Sequence, residues 1–277
     1  MRRFLHAEAS EWKTRDPACQ WKYFRGKEAC DVIESSEFSH LQFVGDSYMR
    51  NMFITFLMLL SDDTERGAWG VNMNYDQMEL CRKDGHLFHK ECRYIVRNSQ
   101  ELRYPEKMCG GNKPNFTVSA RITCSDKGGP DFVNTTRDLA GKRGKLILVG
   151  LGIHMRLDAD FVISQILEPG LQARDKFYLS SKTPVAHRWP RIIFIMPMPP
   201  GLLKPTRYLP HQNNEKLSRF TDKLSSFCLK KHIPFFDFRP LAAYVHSFDG
   251  SHYGIGVNMM KNQVFLNHLS SLEKYET

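Results

Sequence analysis

Apolar and polar residues alternate along the chain in blocks that read as strands and helices by turns. The run Leu41-Gln42-Phe43-Val44-Gly45 predicts a buried strand, and the Met-, Phe- and Leu-rich stretch 48–60 after it predicts a helix. Lys145-Leu146-Ile147-Leu148-Val149-Gly150 is continuously apolar after its lysine, as expected of a strand covered on both faces. Residues 158–167 carry Ile163, Ile166 and Leu167 on one helical face, and Pro169-Gly170 predicts the stop. A second buried strand is expected at 191–196, ended by Pro197, Pro199 and Pro200. An amphipathic helix over 213–231, a short strand at 234–237 and a last helix over 257–269 follow. Strands alternating with helices predict an α/β domain, a three-layer sandwich around a central, mostly parallel sheet. Such sheets place their sites at the strand C-terminal ends, where Ser47, Gly150 to Gly152 and Asp237 fall. The expected organisation is a wrapping segment at 1–37 and a single domain at 38–277. The stretch 61–143, rich in cysteine, Gly, Asn and Asp, reads as an irregular insertion of short hairpins and loops.

Seven cysteines refine this picture: Cys19, Cys30, Cys81, Cys92, Cys109, Cys124 and Cys228. The first six are spaced as near-neighbour pairs among turn residues, a pattern of local disulfides in an oxidising compartment whose connectivity stays open. Cys228, inside the helix expected at 213–231, reads as a buried free thiol. The sequons Asn115-Phe116-Thr117 and Asn134-Thr135-Thr136 point the same way. The start of the chain is basic but has no apolar core of a signal peptide, and no run is long enough to span a bilayer. The protein is therefore either cytosolic or a chain without its exporting segment. Cysteines and sequons favour a secretory-pathway lumen such as the Golgi, or the cell exterior, with membrane attachment only through an anchor outside this sequence. The net charge of +9 is scattered, with no basic helix interleaved with aromatics, so nucleic acid is not an expected partner.

Two short segments roughly 200 residues apart carry the candidate chemistry. Gly45-Asp46-Ser47 lies where the first strand meets its helix. Free N–H groups there can stabilise an oxyanion, and the helix dipole adds to the effect. Asp249-Gly250-Ser251-His252 offers a base with an orienting carboxylate on one turn. Alone, each has a structural explanation: Ser47 as a helix cap, and Asp249-Gly250 as a turn before the last helix. Together, in strand context, they fit a hydroxyl nucleophile with a base.

Phe43-Val44-Gly45-Asp46-Ser47-Tyr48-Met49-Arg50 resembles the first block of the SGNH/GDSL hydrolase superfamily, in the Gly-Asp-Ser-x-x-Arg form of its PC-esterase branch. That branch includes trichome-birefringence-like polysaccharide O-acetyltransferases, the sialate O-acetyltransferase catalytic domain and neurexophilin-and-PC-esterase-domain proteins. Asp249 to Tyr253 and the helix after them resemble its closing Asp-x-x-His block, and 148–154 resembles its middle strand. The resemblance implies an SGNH-hydrolase, flavodoxin-like fold with Ser47 as nucleophile, His252 as base and Asp249 as its partner. It assigns the oxyanion hole to the Ser47 N–H and a following glycine, Gly70 rather than Gly67. The superfamily's Gly-x-Asn-Asp block is replaced here by Gly150-Leu151-Gly152-Ile153-His154, so the Gly152 N–H or the His154 side chain would stand in for the asparagine. Arg50 would meet an anionic group near the serine or pair with a carboxylate.

The expected activity is that of a serine-dependent acyl-ester enzyme acting on O-acyl groups, foremost O-acetyl, of a carbohydrate. Water as acceptor makes it an esterase, and a sugar hydroxyl makes it an acyltransferase. The alternative is a catalytically impaired binding protein for a glycan or protein. No cofactor or metal is implied: Cys81, His86, His89 and Cys92 fit no standard ligand spacing, and a disulfide loop is the better reading. Trp69 and Trp189 are candidates for a sugar cleft or for packing, and the Met-rich stretches read as helix core.

Overall fold

Leu41, Phe43 and Val44 are completely buried, and so are Leu146 to Val149, because both runs are interior strands of a parallel sheet with helices on each face. The computed structural model describes residues 21–125, 128–242 and 245–272. Five parallel strands, β1 (His40–Gly45), β2 (Thr117–Ile122), β3 (Lys145–Gly150), β4 (Arg191–Ile195) and β5 (Phe235–Phe236), lie in the order β2-β1-β3-β4-β5. The α/β expectation is met, with a sheet parallel throughout.

Ten α-helices are assigned among the described residues: α1 (Gly26–Ser35), α2 (Ser47–Leu60), α3 (Tyr75–Leu80), α4 (Gly85–Phe88), α5 (Gly128–Leu139), α6 (Ala159–Val162), α7 (Glu168–Asp175), α8 (Asn214–Lys230), α9 (Arg239–Ala242) and α10 (Ile255–Leu272). On one face, α2 packs with α1 and α10; on the other, α5 packs with α7, and α6 with α8. All fourteen residues of α2 are buried, since the sheet, α1 and α10 enclose it. Polar stitches join α2 to α10: Asn262 Nδ2 donates to Met52 O at 3.1 Å and to Thr55 Oγ1 at 3.0 Å. Gln263 of α10 bonds both the N–H and the carbonyl of Phe24, at 2.8 and 2.7 Å, tying down the chain ahead of α1. The buried face of α1 is Ala29, Cys30 and Ile33. Trp12 and Cys19 lie outside the described residues.

Three expectations are corrected. Among its described residues the stretch 61–143 has no hairpin sheet; it contains helices α3 to α5 and the parallel edge strand β2. β2 is hard to read because an edge strand needs little apolar surface: of Thr117–Ile122, Val118 alone is fully buried. Pro169-Gly170 does not stop its helix either. A π-helical turn at Ile163–Leu167 widens the backbone ahead of the proline, and the helix continues to Asp175. Gly170 is there for packing, since a Cβ would stand 2.2 Å from the Phe132 ring of α5. Finally, of the two disulfides among the described residues only one is local. Cys81 pairs with Cys92, whereas Cys30 pairs with Cys109, 79 residues away, tying α1 to the insertion. Cys124 and Cys228 are free thiols, and burial pushes Cys228 up to about 12. No helix among the described residues is long and apolar enough to cross a membrane.

Replacing Cys30 and Cys109 together by serine is expected to lower unfolding free energy in urea by about 2–5 kcal/mol. On chain entropy alone, that loss exceeds the one from opening Cys81–Cys92, whose separation is 11 residues against 79, by about 2 kcal/mol. Equal midpoints for the two double variants would contradict this ordering.

Candidate active site

The site begins with two glycines. Gly45 ends β1 at φ +149°, and a Cβ there would lie 2.0 Å from Gly150 O of β3, so only glycine lets the two strands close at their C-terminal ends. The Asp46 N–H donates to that same Gly150 oxygen at 3.3 Å. Asp46, not Ser47, is the N-cap of α2; its Oδ1 accepts the Tyr48 N–H at 2.9 Å. Ser47 is therefore the first helical residue. Its hydroxyl is not spent on capping, and its N–H has no intramolecular partner among the described residues.

The hydroxyl meets the other end of the chain. Ser47 Oγ lies 2.7 Å from His252 Nε2, and His252 Nδ1 lies 2.7 Å from Asp249 Oδ2. Asp249 Oδ1 also accepts the backbone N–H of Ser251 at 2.9 Å and of His252 at 2.8 Å. Partial burial opposes ionisation of Asp249, but the hydrogen bonds from His252 and Ser251 outweigh it and hold the carboxyl well below the usual range. An ionised carboxylate only accepts, so His252 donates to it from Nδ1, and in the neutral ring Nε2 is then the acceptor that faces the serine hydroxyl. Ser47 is buried, at 8% exposure.

The Asp249–His252 turn is stitched to neighbours on two sides. After β4, Gly201 N–H donates to Gly250 O at 2.9 Å, Lys204 Nζ donates to Ser251 Oγ at 2.6 Å, and Tyr253 Oη donates to Pro199 O at 3.0 Å. Gly250, at φ +78°, leaves no room for a Cβ, which would stand 2.0 Å from Lys204 N. Across from these, Phe248 packs on Phe88 of α4 with ring centroids 4.1 Å apart.

The remaining candidates separate. Gly152 lies two residues past β3, at the same end of the sheet as Ser47; it is buried at φ +138° and packs on Phe220 of α8, and its N–H has no partner among the described residues. His154 is exposed. Gly70 directs its N–H to Met73 Sδ at 3.0 Å, within a small core of Trp69, Met73, Cys81 and Cys92, so that N–H is not free for an oxyanion. Arg50 is buried and bonds Asn51 Oδ1 through Nε (3.2 Å) and Nη2 (3.0 Å), and Leu87 O through Nη2 at 3.0 Å. It pairs with no carboxylate among the described residues. Trp69 and Trp189 are both buried, as packing residues.

Sequence reasoning missed the floor of the site. Lys261 of α10 is fully enclosed, donates to Asn258 Oδ1 at 3.0 Å and sits 5.7 Å from the centre of the Tyr48 ring. Desolvation pushes Asp46 up to about 7 and Lys261 down to about 7, each partly offset by the other's charge. A lysine among the apolar positions of the expected last helix, beside Met259 and Met260, was the available signal. Lys204 and Asp84, on irregular segments, left none.

No protein-family model matches the chain, and no curated protein matches it. Solved structures do resemble it. An aryl esterase from M. smegmatis is 13% identical, with 84% of this chain and 99% of that one covered, at a TM-score of 0.44. A carbohydrate acetylesterase from Sinorhizobium meliloti is 12% identical over the same shares, also at 0.44. A lipolytic protein of the G-D-S-L family from Veillonella parvula is 11% identical, covering 82% and 96%, at 0.40.

The buried lysine sets a pH dependence of stability. Lys261 has a folded value near 7 against an ordinary 10.5, so between those pH values the folded chain binds fewer protons than the unfolded one. Its contribution to stability rises with pH across that window and is lost as pH falls through 7. Urea unfolding at pH 7 and pH 10 is expected to show this rise in the wild type and its absence in Lys261→Met. Equal pH slopes in the two proteins would refute the assignment.

Proposed function

We propose that this protein is a serine-dependent enzyme that breaks O-acyl esters, foremost O-acetyl esters of a carbohydrate, through an acyl-Ser47 intermediate. The observation that carries the reading is the unbroken chain Asp249–His252–Ser47, with both contacts at 2.7 Å. Each member has the hydrogen-bonding state its role requires: carboxylate acceptor, Nδ1–H tautomer, hydroxyl facing Nε2.

In this mechanism Ser47 Oγ attacks the acyl carbonyl carbon as its proton passes to His252 Nε2. The imidazolium so formed is stabilised by Asp249, which stays ionised. The carbonyl oxygen becomes an oxyanion and receives hydrogen bonds from the N–H of Ser47, at the positive end of α2, and from that of Gly152. Collapse of this intermediate expels the alcohol, which takes the proton from His252, and leaves the acyl group on Ser47. Water, or a second hydroxyl, then attacks with His252 as base. The acetyl group and the carbohydrate follow from the resemblance of the Gly-Asp-Ser-x-x-Arg and Asp-x-x-His blocks to polysaccharide and sialate O-acetyltransferases. The acceptor decides between esterase and acyltransferase. The two disulfides suit work in a secretory lumen or outside the cell.

Turnover of p-nitrophenyl acetate is expected in the wild type, with an acetyl adduct on Ser47 detectable by mass spectrometry. Ser47→Ala and His252→Ala should each lower kcat by about 10⁴-fold or more, since triad members act as a unit. Turnover in Ser47→Ala equal to wild type would overturn the reading. Adding acceptor sugars to the acetyl-enzyme separates the two outcomes: acetyl-sugar product indicates transfer, and acetate alone indicates hydrolysis.

A further inference from the structure

The Cys81–Cys92 disulfide closes a short loop containing α4, and this loop reaches the candidate site at three points. Asp84 Oδ1 accepts the N–H of Ile255, the first residue of α10, at 2.8 Å. The Phe88 ring lies against Phe248, the residue before Asp249. The Leu87 carbonyl accepts from Arg50, one turn along α2 from Ser47. His86 and Leu87 are buried, so the loop is a packed wall and not a loose flap.

Asp84 is the telling residue. It occupies the N-cap position of α4 but makes no side-chain cap there; its carboxylate instead caps α10, 171 residues away. A carboxylate at a helix N-terminus is favoured by the orphan N–H groups and by the helix dipole. His252 is joined to α10 by only Tyr253 and Gly254, so fixing the first turn of α10 limits where His252 can stand. The bonds inside the Asp249–His252 turn set its shape, but they cannot set its distance from Ser47. That distance depends on contacts from outside the turn: the segment after β4, Asn258 Nδ2 of α10 donating to the Tyr253 and Gly254 carbonyls at 2.8 and 2.9 Å, the packing of α10 on α2, and Asp84 with Phe88.

We propose that Asp84 is a positioning residue for His252, held in place by the Cys81–Cys92 bond, and that the disulfide loop, acting on the first turn of α10, tunes the Ser47–His252 contact that the packing of α2 on α10 establishes. The proposal rests on the acyl-serine reading above for its kinetic consequence, but not for its structural one. Asp84→Ala is expected to lower kcat for p-nitrophenyl acetate by about 100-fold, the scale of a misplacement of about 1 Å, with KM nearly unchanged. Asp84→Asn keeps the Oδ1 acceptor and should recover most of that loss. In both variants the acidic limb of the pH–rate profile should stay where it is in the wild type, because Asp249 still holds the ring. Opening the loop with Cys81→Ser/Cys92→Ser should lower kcat in the same way while the circular dichroism stays native.

A folded Asp84→Ala with wild-type kcat would overturn the proposal, as would equal damage from Asp84→Ala and Asp84→Asn. If Asp84→Ala does not fold, the double serine variant carries the test, and an unchanged kcat there overturns it. The Ser47 Oγ–His252 Nε2 distance in a crystal structure of Asp84→Ala needs no substrate and keeps the two ideas apart. Ser47→Ala with undiminished turnover would remove the acyl-serine reading. A Ser47–His252 distance still at 2.7 Å in Asp84→Ala would remove the positioning role whatever Ser47 does.

Discussion

The packing of α2 against α10 is the constraint on which the rest of this structure depends. Ser47 is the first residue of α2, and His252 stands three residues before the first residue of α10. The two helices share one face of the sheet and are joined by Asn262 hydrogen bonds to Met52 and Thr55. A hydrogen bond of 2.7 Å between residues 205 apart tolerates little error, and a loop alone could not hold it. A wholly buried helix fixed against a second long helix can, because close-packed interiors leave few alternative arrangements.

The same burial has an electrostatic cost. Placing Ser47 at the start of an enclosed helix takes Asp46 out of water with it, and α10 brings Lys261 into the same interior. Desolvation drives the carboxyl up and the amine down, so each group is held with its charged form disfavoured. Asp249 shows the opposite balance. It is half exposed and accepts three hydrogen bonds within its own turn, so it remains a carboxylate. Two acids close to one serine thus shift in opposite directions because one is enclosed and the other is bonded at the surface.

The second constraint is the close approach of β1 and β3 at Gly45 and Gly150. Removing both side chains lets the strands run together to their C-terminal ends, where the strand order 2-1-3 places a switch point and a site. Gly152 continues the theme one step further, with Phe220 filling the space a side chain would take. The N–H groups left at Ser47 and Gly152 follow from this backbone path and owe nothing to side-chain chemistry.

Much of the architecture was readable from hydrophobic pattern, because buried parallel strands and enclosed helices must be apolar. The runs around Phe43, Leu148 and Ile193 and the helix after Ser47 therefore announced themselves, as did the Asp249–His252 turn, whose three hydrogen bonds join neighbours in sequence. What the pattern could not carry were elements with few buried residues, such as β2 and α5, and the continuation past Pro169 through a π turn. It could not carry the pairing of Cys30 with Cys109 either, or the occupation of the Gly70 N–H by Met73. The single chain order determined which residues bury, since that depends on local composition. Which distant residues meet, Ser47 with His252, Asp84 with α10 and Lys261 with the floor beneath Asp46, was decided only by the tertiary fold, because a contact across hundreds of residues exists only once the layers between have packed.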